Sequence, residues 1–468
     1  MRPAVLGGAT GLAAGAVIAA ASRGPSLVPW PDRVRTAFPF VLGGIAGGLV
    51  AVKVVSAASI IRAARGQRRA PSAAPIVIGS VLAVGAAVAG YAAREMLLAR
   101  LAESSRGLDD GFVEPPTAAG VSGGPGSVVT VGELGREGAR FVGTATTADD
   151  VRIVTGRDPV ATPVRVFIGV EAADTVEQRV GLAMAELRRT GAFDRSILIV
   201  QAPAGSGYAN ATPADVVETL ALGDCASVAI GYGLLPSFLS LSKVAIAART
   251  QALLLAAIRD ELAGREHRPR IVLYGESLGA KVQQAALPGG PLDLDAHGID
   301  AVLWVGTPGG RDADAVHAMC AAESITIDRP EQIPAAFAAG RPRVWFLEHD
   351  GDPVVRFRPE IATRRPDWLP AGGGRGRNVP EAMAWRPGIT WATALVDTLF
   401  ATDIKPGDFH SLGHDYRADL GAVVTAAYGL SADDATAARL EAHLRVLEVQ
   451  RAERIASTTT ENQGKTGS

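Results

Sequence analysis

Cysteine is the scarcest chemistry in this sequence: two residues in 468, Cys225 and Cys320. Two thiols cannot build a disulfide framework, and neither stands at metal-ligand spacing from a second candidate ligand. An excess of charge of either sign is also missing, with 46 Lys and Arg against 48 Asp and Glu. That balance leaves no polybasic stripe, so nucleic acid is not an expected partner. There is no heptad run and no internal repeat, which excludes a coiled coil and a solenoid. No cofactor and no metal are expected.

What the chain does have is length, glycine and long apolar runs. Three stretches, Pro3–Ala21, Ala37–Ile61 and Pro75–Ala93, are long and apolar enough to cross a bilayer. They are rich in Gly, Ala and Ser, as closely packed membrane helices tend to be. Lys53 is their single interior charge, fewer than transport mechanisms use. Arg62, Arg65, Arg68 and Arg69 crowd the second loop more densely than Arg23, Arg33 and Arg35 crowd the first. The positive-inside rule then places the N-terminus in the cytoplasm and the large domain outside the cell membrane. We therefore expect a transmembrane helical region over 1–100 and a Pro/Gly-rich linker over 101–128. A large folded domain over 129–452 and a polar, disordered tail over 453–468 follow.

Beyond the linker, apolar runs alternate with helical patterns. Strands are expected at Val164–Val170, Ser196–Gln201, Ser227–Tyr232, Ile271–Tyr274, Ala301–Val305 and Val344–Leu347. Helices are expected at Thr175–Thr190, 213–222, 240–263 and 432–452. This alternation predicts an α/β fold with a mostly parallel sheet covered on both faces. Ligands of such sheets bind beyond the carboxyl ends of the strands.

The chain is organised around Gly275-Glu-Ser277-Leu-Gly279, which follows the run Ile271–Tyr274 and precedes a helical pattern. Strand, sharp turn on serine, helix is the nucleophile elbow of α/β-hydrolases. The pentapeptide alone is weak in a chain with 54 glycines. A second match, Gly120-Val-Ser122-Gly-Gly124, has neither the strand nor the helix and is set aside.

A serine needs a base, and the base needs an acid to orient it. In this fold the order is Ser, then Asp or Glu, then His. After Val344–Leu347 comes Glu348-His-Asp350-Gly-Asp352, where Asp350 and Asp352 both qualify. Asp352 is preferred because Gly351 lets the loop turn before it. Of the three later histidines, His443 sits between Leu440 and Leu447 in a helical pattern and reads as structural. His410 and His414 share one loop before a helix, and loop-to-helix placement favours His414 as base, with His410 the alternate. The oxyanion hole should combine the N–H of Leu278 with one from Gly205 or Ser206, in the loop after Ser196–Gln201. About 55 residues between Asp352 and the histidine pair carry Trp368, Trp385 and Trp391, half of the chain's tryptophans. They read either as an irregular packed insertion or as a cap or membrane-facing surface.

These residues resemble a family of bacterial multi-spanning membrane proteins with a C-terminal α/β-hydrolase domain. The resemblance runs through Pro25–Pro29, Leu134–Val142, Val164–Glu171, Gly275–Gly279, Asp352–Val355, Arg365–Leu369 and Gly413–Tyr416. It implies a serine esterase, and it implies Asp352 over Asp350 and His414 over His410. The expected function is a membrane-anchored, multi-pass serine hydrolase of the esterase or lipase type, acting on an acyl-ester or lipid-like substrate. An acyltransferase would use the same triad on a lipid or envelope acceptor. A non-catalytic membrane scaffold is the reading from another class, and an intact Ser-Asp-His order argues against it.

Overall fold

A computed structural model describes residues 24–29 and 107–465, apart from 235–239, 338–339, 373 and 402–406. The three expected spans lie outside the described residues. Among the described residues, no helix is long and apolar enough to cross a membrane. The chain divides into two compact units, 1–100 with 357–400 and 101–356 with 401–468.

The larger unit is built on seven parallel strands: β1 Val164–Ile168, β2 Ile197–Ala202, β3 Cys225–Ile230, β4 Arg270–Glu276, β5 Ile299–Val305, β6 Ser324–Ile327 and β7 Val344–Leu347. Their order is β1-β3-β2-β4-β5-β7-β6, which puts β4 at the centre. Side chains alternate between two cores, as the pleat requires. Along β2, Leu198 and Val200 enter one cluster while Ile197 and Ile199 enter the other. A strand buried on both faces reads as a continuous apolar run, which is why six strands were legible. The seventh, β6, was not expected. It is a four-residue edge strand, Ser-Ile-Thr-Ile, with only Ile327 fully buried.

Helices start where threonine can cap them. Thr130, Thr147 and Thr175 each accept from the backbone N–H three residues on, and Glu133, Asp150 and Gln178 return the bond. Each pair satisfies two N–H groups that the first turn leaves without helical partners.

Two expected boundaries are corrected. Within the linker over 101–128, residues 120–122 lie along the free edge of β1. The Ser122 N–H donates to the Arg165 carbonyl at 3.0 Å, and the Arg165 N–H donates to the Gly120 carbonyl at 3.1 Å. An edge strand otherwise leaves such groups unpaired. Ser122 Oγ donates to Glu186 at 3.0 Å, so the second Gly-x-Ser-x-Gly is structural. The C-terminal helix, expected to end at 452, runs Asp434–Lys465 instead of giving way to a disordered tail. Arg454 anchors the extension: it donates to the carbonyls of Gly111 and Gly143, and its guanidinium lies 4.1 Å from the Phe112 ring.

In the smaller unit, the described residues form a core of their own. Leu27 is buried with Leu369, Val379 and Met383, and its N–H donates to Asp397 Oδ2 at 2.9 Å. Trp385 donates to the Ile361 carbonyl, and Arg365 lies over its ring. Among the described residues, 24–29 and 357–400 thus share one compact unit.

Candidate active site

Ser277 joins the end of β4 to the helix Leu278–Ala286 with φ 56° and ψ −123°, a backbone conformation L-residues rarely adopt. The flanking glycines have a steric cause. A Cβ at Gly275 would come within 2.8 Å of the Ala280 backbone, and one at Gly279 within 2.1 Å of the Ala202 carbonyl. The turn therefore packs strand end against helix start more closely than any side chain allows. Ser277 is 9% exposed, and the Leu278 N–H is one of four donors that the helix start leaves without helical partners.

Asp352 follows β7, two strands across the sheet from β4, and is wholly buried. Its Oδ2 accepts from His414 Nδ1 at 2.7 Å and from the Tyr416 hydroxyl at 2.6 Å. Its Oδ1 accepts from the Val354 N–H at 2.8 Å. With the carboxylate as acceptor, the imidazole carries its proton on Nδ1 and presents a lone pair at Nε2. His414 Nε2 is buried and has no hydrogen-bond partner among the described residues. No bond joins it to Ser277 in this conformation, as is common for such pairs without substrate. Burial opposes charging the ring, but the Asp352 carboxylate, with Glu276 and Asp415, more than offsets it and raises the His414 pKa above its ordinary value.

Ser277 and His414 line one cavity of about 350 Å³. Ser206 lines it too, whereas the Gly205 carbonyl accepts from Ser240 Oγ at 3.4 Å. Within that loop the Ala204 and Gly207 N–H groups are tied internally, to the carbonyls of Tyr208 and Ala204. The other candidates lie elsewhere. Asp350 pairs with Arg356 at 2.8 Å, and His410 is exposed. His443 bonds Asp150 at 2.9 Å and fastens the last helix to Ala148–Thr155. Among the described residues, no group of three His, Cys, Asp or Glu side chains is arranged to hold a metal ion.

A family model described as an alpha/beta-hydrolase family matches residues 164–322 and 311–440, together more than half of the chain. The chain belongs to that alpha/beta-hydrolase family. No curated protein matches it. Among solved structures it is similar to an iodinated complex of acetyl xylan esterase at 1.80 Å, with 18% identity over 34% of this chain and 85% of that one. The TM-score is 0.23, too low to carry any argument.

Three positions in this hydrolase domain escaped the sequence reading. Tyr416 bonds the Asp352 carboxylate and accepts from the His349 N–H at 3.1 Å. His349 stacks on the Tyr416 ring at 3.9 Å and bridges the Gly413 carbonyl and Asp419, so it holds the loop that carries His414. Gly306, at the end of β5 with φ 57°, lies under the imidazole, where a Cβ would come within 2.8 Å of His414 Cε1. The signal for Tyr416 was its place two residues after the favoured histidine. Gly306 and His349 act through tertiary contacts that no local pattern announces. The Leu134–Val142 block has a place as well: Glu137, Arg140 and Phe141 line the cavity. Burial lifts the Glu137 carboxyl above its usual range, against the pull of Arg140 and Arg136.

Proposed function

We propose that the chain is a membrane-anchored serine hydrolase that cleaves an acyl ester. The observation that carries this reading is the 2.7 Å bond from His414 to Asp352, on the same cavity as a serine held at a strained elbow. Ser277 Oγ attacks the acyl carbon while its proton passes to His414 Nε2. The imidazolium, held by Asp352, gives that proton to the departing alcohol, leaving an acyl-enzyme. Water then repeats the sequence: His414 takes its proton, the acid leaves, and Ser277 recovers its hydrogen. The negative oxygen of each tetrahedral intermediate is met by the Leu278 N–H and by the Gly205–Ser206 backbone. Residues 1–100 supply the membrane anchor, on the strength of three apolar runs of spanning length. The positive-inside bias puts the hydrolase domain on the outer side.

The test is turnover of a chromogenic short-chain acyl ester by the detergent-solubilised protein. Wild type should release the chromophore in a burst approaching one equivalent, followed by a slower steady rate, and Ser277→Ala should release none. Equal steady rates in the two proteins would remove Ser277 from the reaction.

A further inference from the structure

The cavity wall holds an amide that this chemistry leaves unused. Gln201 lies near the end of β2, is 1% exposed, and lines the same cavity as Ser277 and His414. Neither its Oε1 nor its Nε2 has a hydrogen-bond partner among the described residues. Ile197 and Ile199 precede it on the same face of the strand and join the apolar core, so an amide here breaks the pattern where that face meets the cavity. Burying an amide without partners destabilises the empty protein, and such groups are scarce in native interiors.

Most neighbouring polar groups are spent on one another, with Arg451 Nε an exception among the described residues. The Tyr274 hydroxyl and Asn210 Nδ2 both donate to Glu276 Oε2, at 2.6 and 2.7 Å. Glu137 pairs with Arg140 at 3.0 Å, Glu448 with Arg417, and Arg451 with Asp215. Glu137, Arg140, Arg417, Glu448 and Arg451 thus have partners of opposite charge, while Glu276 is held by two neutral donors, which suits a neutral guest better than an anion. Gln201 offers that guest an N–H2 donor group and an acceptor oxygen together. In register it faces Tyr274, three residues before the nucleophile, so it lies up to about 10 Å from Ser277 along the strand direction.

We propose that Gln201 is a specificity residue that receives a hydroxyl or a carboxamide on the part of the ester that enters the cavity. A site with a buried hydrogen-bonding group rejects the analogue that leaves it unpaired far more strongly than an apolar pocket rejects a misfit. The preferred substrate is therefore an ester bearing a neutral polar group within reach of the amide, not the plain alkyl ester of equal length. This assignment rests on the reading of Ser277 as nucleophile.

The experiment compares acyl esters of matched length on the solubilised full chain. One set is plain, one carries a hydroxyl at graded positions, and one ends in a carboxamide. Wild type and Gln201→Met are compared, each also tested for fluorophosphonate labelling and thermal unfolding. We expect wild type to favour at least one polar ester over its plain partner by about tenfold or more in kcat/KM. Gln201→Met should abolish that preference with labelling intact and Tm unchanged or higher, since an unpartnered amide gives way to an apolar chain. A wild type that prefers the plain ester throughout, or a Met variant that keeps the polar preference, overturns the proposal. So does a fall of about 5 °C or more in the variant's Tm, which would mean that the amide holds the fold. An unlabelled wild type that turns over no ester defeats the catalytic reading itself, and the two failures are thereby told apart.

Discussion

At the scale of single residues, Asp352 is held by more than its histidine. Tyr416 shares the oxygen that accepts from His414. That second donor disperses the carboxylate's charge and fixes the plane in which the imidazole sits. Tyr416→Phe should lower kcat/KM by about tenfold on the pH plateau, the cost of one hydrogen bond to a charged group. The pH profile adds a sign. The base works as neutral imidazole, and its pKa is raised, so the acid limb of the wild-type profile should lie above the ordinary histidine value of about 6.5. A carboxylate relieved of the Tyr416 hydroxyl attracts the imidazolium more strongly, so the limb should move further up in Tyr416→Phe. A limb that moves down would show that the hydroxyl does not compete with the ring for Asp352.

At the scale of elements, a buried ionic network ties β1 to the helix Thr212–Leu220 and to the C-terminal helix. Arg165, wholly buried near the start of β1, donates to Glu218 and Asp215, each at 2.6 Å, and to the Phe141 carbonyl at 2.8 Å. Arg451 of the last helix reaches the same Asp215. Replacing Arg165 by leucine leaves Glu218 without a cation in the interior and Asp215 with Arg451 alone, and should cost about 3–5 kcal/mol in chemical denaturation. A loss under about 1 kcal/mol would mean that these carboxylates take up protons or water without penalty. The same strand shows what the sequence could and could not tell. Val164–Ile168 reads as buried because four of its five residues are apolar, and the elbow reads as an elbow because its strand, Gly-x-Ser-x-Gly turn and helix are contiguous in sequence. The partners of Arg165 lie 50 and 53 residues away, and those of His414 and Gly306 are set by loops that meet only across the sheet. The edge strand β6 was illegible for a different reason: half of it is Ser and Thr, and the pattern for burial is missing.

For the molecule as a whole, the sequence pointed to a membrane region followed by a single catalytic domain. Among the described residues, 357–400 share a compact unit with 24–29. Two blocks of the family resemblance, Pro25–Pro29 and Arg365–Leu369, meet there through Leu27 and Leu369. Segments about 340 residues apart in sequence leave no local trace of such a meeting. If residues 1–100 span the bilayer, the full chain should stay with membranes through an alkaline carbonate wash and leave them only with detergent. Release by carbonate alone would mean a peripheral association instead.

The central claim is that Ser277 is a nucleophile charged by His414 and Asp352. Its most direct measurement is covalent labelling of the solubilised protein by a fluorophosphonate, with the adduct mapped by mass spectrometry in wild type, Ser277→Ala, Asp352→Ala, His410→Ala and His414→Ala. The account predicts one adduct, on Ser277, absent from Ser277→Ala, strongly slowed in His414→Ala and Asp352→Ala, and unchanged in His410→Ala. A well-folded wild type that takes no label, or a label mapped to another serine, would contradict it.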